Sequence, residues 1–304
     1  MIDFMAFRPK RILCPMDFSE LSDLALKYAV MGAREFDAEL VLLHAHFFEL
    51  PKYFVPENAE TIIASLDRAK ADIRDSLKQY AVKILGSMAD DLKVDFRVMD
   101  QHPTQTIMSS IKEENCDLIV MGTHGLRGVK RFLMGSITES IVRESPIPVF
   151  TIRQKVHDFI EVRNPDAIPD IKRVLCPWNL SSASRPALDA AVSLADRFKA
   201  RLSVLYIPEG DEDANVDEIK DQIGAEAGDI KNYPCPVEVI VRQGNRAEEI
   251  VKQAQEYQED IIVMAAVHKS FLEETFLGRT VELVMRHAPT PVLITPISQP
   301  MRAA

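Results

Sequence analysis

The stretch Gly122-Thr-His-Gly125-Leu-Arg-Gly128-Val-Lys-Arg-Phe-Leu-Met-Gly135-Ser136 concentrates the chemistry of this chain. Its glycines allow positive φ and let backbone amides approach a ligand closely. Gly135 and Ser136, opening a helix, would present free N–H groups and a hydroxyl at a helix N-terminus, a ready anion site. Arg127, Lys130 and Arg131 add three positive charges, and no acidic residue opposes them in this stretch. Each exposed charge contributes about 0.3–1 kcal/mol toward a phosphate at such a terminus. The spacing is neither GxxxxGK[ST] nor GxGxxG. Other candidates follow other short apolar runs: Pro15-Met16-Asp17-Phe18-Ser19, His44-Ala45-His46 and Gln101-His102-Pro103. His44, His46, His102 and His124 together could hold zinc. No cysteine or carboxylate at ligand spacing joins them, so polar histidines with ordinary partners are the simpler expectation, and no metal site is assigned. Ser136 lacks the GxSxG surroundings of a hydrolase nucleophile, and no catalytic residue is assigned.

These residues need a frame, and the chain writes that frame twice. Arg11-Ile-Leu-Cys-Pro15 recurs as Arg173-Val-Leu-Cys-Pro177, and Ala38–His44 recurs as Ala200–Tyr206, both offset by 162. Asp117-Leu-Ile-Val-Met121 recurs as Asp260-Ile-Ile-Val-Met264, and Ser145–Val149 as Ala288–Val292, both offset by 143. The second copy is therefore shorter by 19 residues between its second and third strands. In the first copy, Arg11–Pro15, Leu40–Ala45, Val94–Met99, Leu118–Met121 and Val149–Ile152 read as strands covered on both faces. Amphipathic helices fill the gaps: one capped by Ser19, one from Asn58 to Leu85 stopped by Gly86, one capped by Thr104, and one capped by Ser136. Each copy is then an open, doubly wound α/β unit whose ligand crevice lies outside the carboxyl ends of its strands. Residues 1–153 form the first domain, 154–170 a linker and 171–304 the second domain.

Composition narrows the function. The chain has 304 residues and 36 basic against 46 acidic side chains, giving a net charge of −10. Residues 1–152 carry −4 and residues 153–304 carry −6, so neither half offers the basic surface that nucleic acid requires. No apolar run reaches about 18 residues, and Pro9 with its charged neighbours interrupts any signal-peptide core. Four widely spaced cysteines suit reduced, buried thiols. A protein of the cytoplasm, with neither membrane nor nucleic acid as partner, is expected.

The pattern Gly122-x-x-Gly125, nine residues, Gly135-Ser136, after Asp-Leu-Ile-Val-Met and before Pro-Ile-Pro-Val, resembles the ATP-binding branch of the universal stress protein family. The resemblance covers both copies. It implies two tandem five-stranded parallel sheets with helices on both faces, Rossmann-like and of the adenine-nucleotide alpha-hydrolase kind, with strand order 3-2-1-4-5. The last strands would pair across an intramolecular pseudo-dimer, leaving the chain a monomer or a homodimer of tandem chains. It also implies ATP, with Mg, in the first copy. Pro15 and Asp17 would face the adenine, Ala45 would line the base or ribose pocket, and Met121 and Gly122 would contact the nucleoside. Gly125, Gly135, Ser136, Ile137 and Thr138 would surround the phosphates, and His124 stands where some members carry arginine. In the second copy Ala265, His268, Gly278 and Arg279 replace the motif and Asn179 replaces Asp17, so no ATP is expected there. That copy reads as a pairing scaffold, with a different ligand using Trp178 and Arg279 as the alternative. The resemblance implies a stress-response sensor or regulator acting on an unidentified protein partner. The alternatives are a slow ATPase or phosphotransferase at the same site, or a stress scaffold without nucleotide.

Overall fold

The computed structural model describes residues 7–46, 59–86, 91–124, 134–153, 170–208, 216–227, 232–266, 268–271 and 274–297. The expected linker, apart from its last residue, lies outside these. Strands β1 (Arg11–Pro15), β2 (Glu39–Ala45), β3 (Val94–Met99), β4 (Leu118–Gly122) and β5 (Val149–Ile152) alternate with α1 (Glu20–Phe36), α2 (Ala59–Leu85), α3 (Pro103–Glu113) and α4 (Ser136–Glu144). The second half repeats this with β6 (Arg173–Pro177), α5 (Arg185–Phe198), β7 (Arg201–Tyr206), α6 (Val216–Ala227), β8 (Val237–Val241), α7 (Arg246–Glu256) and β9 (Ile261–Ala265). A hairpin of β10 (His268–Phe271) and β11 (Glu274–Leu277), helix α8 (Arg279–His287) and β12 (Val292–Thr295) complete it. The hairpin was not expected from the sequence.

Apart from that hairpin, the strands form one ten-stranded sheet in the order β3-β2-β1-β4-β5-β12-β9-β6-β7-β8. Each half therefore has the order 3-2-1-4-5, parallel throughout. The halves meet where β5 runs antiparallel to β12, with Phe150 opposite Leu293. One apolar core covers the face under α1, α2, α5 and α6, and a second covers the face under α3, α4, α7 and α8. Both span the two halves, and burial on both faces explains the near-continuous apolar strands. All four cysteines are free and buried. No helix among the described residues is long and apolar enough to cross a membrane.

Equivalent details recur in each copy. The Asp117 carboxylate accepts from the Lys10 and Arg11 amides at 2.9–3.0 Å, tying the start of β4 to the start of β1. Asp260 does the same for Lys172 and Arg173 at 2.8 and 2.9 Å. Ser19 caps α1 by accepting from the Ser22 amide, and Gly86 ends α2 at φ +53°. Two caps differ from expectation. His102, not Thr104, precedes α3, because Pro103 suits the first helical position, where its missing N–H costs nothing. Gly135, not Ser136, precedes α4, and Ser136 is already helical. A Cβ at residue 135 would stand 3.3 Å from the Thr123 carbonyl oxygen, so the tight approach there favours glycine.

Candidate functional site

Beyond β1 the chain stays paired with β2 for one residue more, the Met16 amide donating to the Leu43 carbonyl at 2.8 Å. It then turns sharply. Asp17 Oδ1 accepts from the Ser19 amide at 3.1 Å and the Ser19 hydroxyl at 2.6 Å, closing a turn with Phe18 at φ +62°. A bulky residue held at positive φ costs on the order of 1–3 kcal/mol. The surroundings fix it: the Phe18 ring meets His44 and Tyr80 at 4.8 and 5.0 Å. His44 is itself anchored, its Nδ1–H donating to the Met16 carbonyl at 2.8 Å.

At the end of β4, Thr123 donates its amide to Ile152, and the Gly135 amide donates to the Thr123 carbonyl at 2.8 Å. The two ends of the glycine-bearing loop are thus clasped together. The Thr138 hydroxyl donates to the Gly122 carbonyl at 2.9 Å and ties the first turn of α4 to the same point. Gly122 is required by close packing, since a Cβ there would lie 2.7 Å from Leu21 Cγ.

Between these two turns, where β1 is flanked by β2 and β4, lies a cavity of about 120 Å³. Of the residues singled out in the sequence, Pro15, Asp17, Ala45, Met121, Gly122, His124, Ile137 and Thr138 line it. Gly135 and Ser136 begin α4 beside Ile137. Gly125, Arg127, Lys130 and Arg131 lie outside the described residues. Met16, Ser22, Leu43, Pro103 and Ile107 also line the cavity. Met16 and Pro103 stand in the candidate stretches read after the first and third strands, whereas sequence reasoning did not select Ser22, Leu43 or Ile107 for the site. Pro103 had a readable signal, as the first residue of a helix directly after a strand, and Ile107 lies one turn further on the same face.

Among the described residues the lining is mostly apolar, and Asp17 is the one carboxylate. The first amides of α4 have no acceptor within the helix, as at every helix start. His124 Nδ1 lies 2.8 Å from the Thr123 hydroxyl, while its buried Nε2 has no partner among the described residues. Burial, and then the nearby Arg153 charge, push the His124 pKa below its ordinary value. A neutral imidazole offers a ligand one hydrogen bond and no charge. The arrangement can take a flat, largely apolar group with polar edges, and place an anion toward α4.

The second copy is built differently. Asn179 keeps the turn, its Oδ1 accepting from the Ser181 amide and the Ser181 and Ser184 hydroxyls at 3.3, 2.8 and 2.6 Å. Leu180 sits at φ +60°, like Phe18. Trp178 is only 4% exposed and belongs to the apolar core, whereas Arg279 is exposed at the start of α8. In chain order the hairpin of β10 and β11 follows β9 and precedes α8, as the glycine-bearing stretch of the first copy follows β4 and precedes α4.

The sequence profile described as the universal stress protein family matches residues 9–153 and 170–296. The universal stress protein MJ0531 of Methanocaldococcus jannaschii is 30% identical over 151 residues, covering 48% of this chain and 82% of that protein. MJ0577 of the same organism is 28% identical over 160 residues, covering 50% of this chain and 99% of that protein. A universal stress protein structure from Archaeoglobus fulgidus DSM 4304 aligns with 94% of this chain and 98% of its own, at 21% identity and a TM-score of 0.66. That last likeness concerns the fold. With both halves matched by one profile, the chain belongs to the universal stress protein family.

Proposed function

We propose that the first half, residues 1–153, binds an adenine nucleotide, ATP with Mg, in the crevice between β1 and β4. The observation that carries this reading is convergence: eight residues selected from motif and resemblance line one cavity at the reversal of strand order. Asp17 would accept hydrogen bonds from the base, and the apolar floor of Leu43, Met121 and Ile137 suits a planar ring. The amides at the start of α4 would face phosphate, with Arg127, Lys130 and Arg131 supplying charge. Gly122 and Gly135 pack closely against Leu21 and the Thr123 carbonyl, which fixes the two ends of the loop beside this cavity. Mg would be carried by the phosphates, because the described lining offers it only Asp17, already bonded to Ser19. The second half, residues 171–304, serves as a pairing scaffold, and the chain acts as a nucleotide-responsive regulator rather than an efficient hydrolase. Hydrolysis would call for a base or a metal-holding carboxylate near the γ-phosphate.

Calorimetric titration of Mg-ATP into nucleotide-stripped protein tests this. One site per chain is expected, abolished by Gly135→Asp, which sets a negative charge at the α4 N-terminus, and retained by Arg279→Ala. No binding, or two equal sites, would refute the assignment. Phosphate release well above the protein-free rate and lost in Ser136→Ala would favour the ATPase reading instead.

A further inference from the structure

The seam between the halves joins equivalent elements, yet its two sides are not alike. In a two-fold interface every contact appears twice, residue i meeting j and j meeting i. Here the strand register obeys that symmetry. Phe150 opposes its own equivalent, Leu293, while Val149 opposes Ile294 and Thr151 opposes Val292. Phe36 of α1 likewise meets its equivalent, Phe198 of α5, edge to face at 6.5 Å.

The side chains around that axis break the symmetry. Glu35 is equivalent to Arg197, and the two bond directly. Arg197 Nε donates to Glu35 Oε1 at 2.6 Å, and Arg197 Nη2 donates to the Glu35 carbonyl. The Thr151 hydroxyl donates to the Val292 carbonyl and Arg153 Nη1 donates to the Ala288 carbonyl, each at 3.1 Å. The equivalents of these donors are Ile294 and Pro296, which cannot return either bond. Size alternates as well: Tyr28 and Phe150, 5.8 Å apart, correspond to Ala190 and Leu293, whereas Gly32 corresponds to Leu194. The remaining apolar space between the halves is about 60 Å³.

We propose that this seam is a heterospecific surface whose partner is the other half of the same chain, and that it disfavours either half pairing with a copy of itself. Two first halves would set Glu35 against Glu35 and crowd two Tyr28 and two Phe150 rings at the axis. Two second halves would set Arg197 against Arg197 and forfeit all the Thr151 and Arg153 bonds. Like charges placed together, and for two second halves carbonyls left without their donors, are ordinary means of rejecting a wrong partner. The inference rests on the fold and not on the nucleotide reading.

The test uses the full chain with a protease site placed within residues 154–169 and cut after folding. Isotopically light and heavy preparations are mixed and followed by native mass spectrometry. Every complex is expected to hold one first-half and one second-half fragment. Complexes of two like fragments, or fragments that separate, would overturn the proposal. In the uncut chain, Glu35→Arg and Arg197→Glu are each expected to lower the unfolding midpoint by about 1–3 °C. The double reversal is expected to recover at least half of the summed loss, and a double variant with no recovery would also overturn it.

Discussion

Asp17 and Asn179 show how one side-chain atom separates architecture from ligand chemistry. Both close the same turn with a side-chain oxygen that accepts from the serine two residues on. The amide of Asn179 therefore demonstrates that the turn needs no charge. Asp17→Asn is accordingly expected to leave the unfolding midpoint within about 2 °C of the parent while weakening ATP at least about tenfold, roughly 1.4 kcal/mol. Equal affinity in a calorimetric comparison would remove Asp17 from the site. Glu259 poses the opposite problem, a carboxyl only 1% exposed, with the Gln253 amide at 3.4 Å and the Ser203 hydroxyl nearby. Burial pushes its pKa above the ordinary carboxylate value of 4.5. The folded state then holds this proton more tightly than the unfolded chain. The contribution is full below pH 4.5 and is lost as pH rises through the folded pKa. Glu259→Gln should therefore raise the midpoint at about pH 8. The gain over the parent should shrink toward zero as pH falls to about 4.5, and a gain independent of pH would contradict this.

Helices and strands here are set at their ends, and the ends were unequally legible. Asp117 and Asp260 open the repeated Asp-x-Ile-Val-Met runs, and each binds the two amides that begin the neighbouring strand. Charged hydrogen bonds of this kind contribute about 1.5–3 kcal/mol each. Asp260→Ala is expected to cost about 2–4 kcal/mol in denaturant unfolding, and more than Asp117→Ala, because Asp260 is the more buried of the two. A loss below about 0.5 kcal/mol would show that the strands keep register without the pin. Strand placement could be read from the sequence because doubly covered strands are nearly all apolar, and Ser19 and Gly86 mark their helix ends by local chemistry alone. The starts of α3 and α4 could not be assigned that way. A capping serine or threonine is a local signal, but Pro103 and the contact of Gly135 with the Thr123 carbonyl depend on the preceding turn and on a residue twelve positions back. The cavity was legible in its motif residues and illegible in Leu43 and Ile107, whose part arises only once strands and helices are stacked. The hairpin of β10 and β11 carries no Asn-Gly or Asp-Gly turn signal, so nothing local announced it.

At the scale of the whole molecule, the two halves share one sheet, two continuous apolar cores and a seam of unlike partners. Such continuity predicts that the halves unfold as a single cooperative unit, although only one has the glycine-bearing motif. The chain supplies its own reporter, because its one tryptophan, Trp178, lies in the second half and is buried in the apolar core that spans both halves. If the halves melt together, Trp178 fluorescence and far-UV circular dichroism should give coincident transitions. A ligand that binds only the folded first half at about 100 times its Kd stabilises the unit by about 2.7 kcal/mol. Trp178 should then report that stabilisation from the opposite side of the seam, as a midpoint several degrees higher with saturating Mg-ATP. A circular dichroism transition that splits in two on adding nucleotide, with the Trp178 midpoint unchanged, would show that the second half neither senses nor shares the first half's ligand. A single shifted transition seen by both probes would mean that binding energy at the β1–β4 crevice crosses the β5–β12 pairing, which a regulator with one active half requires.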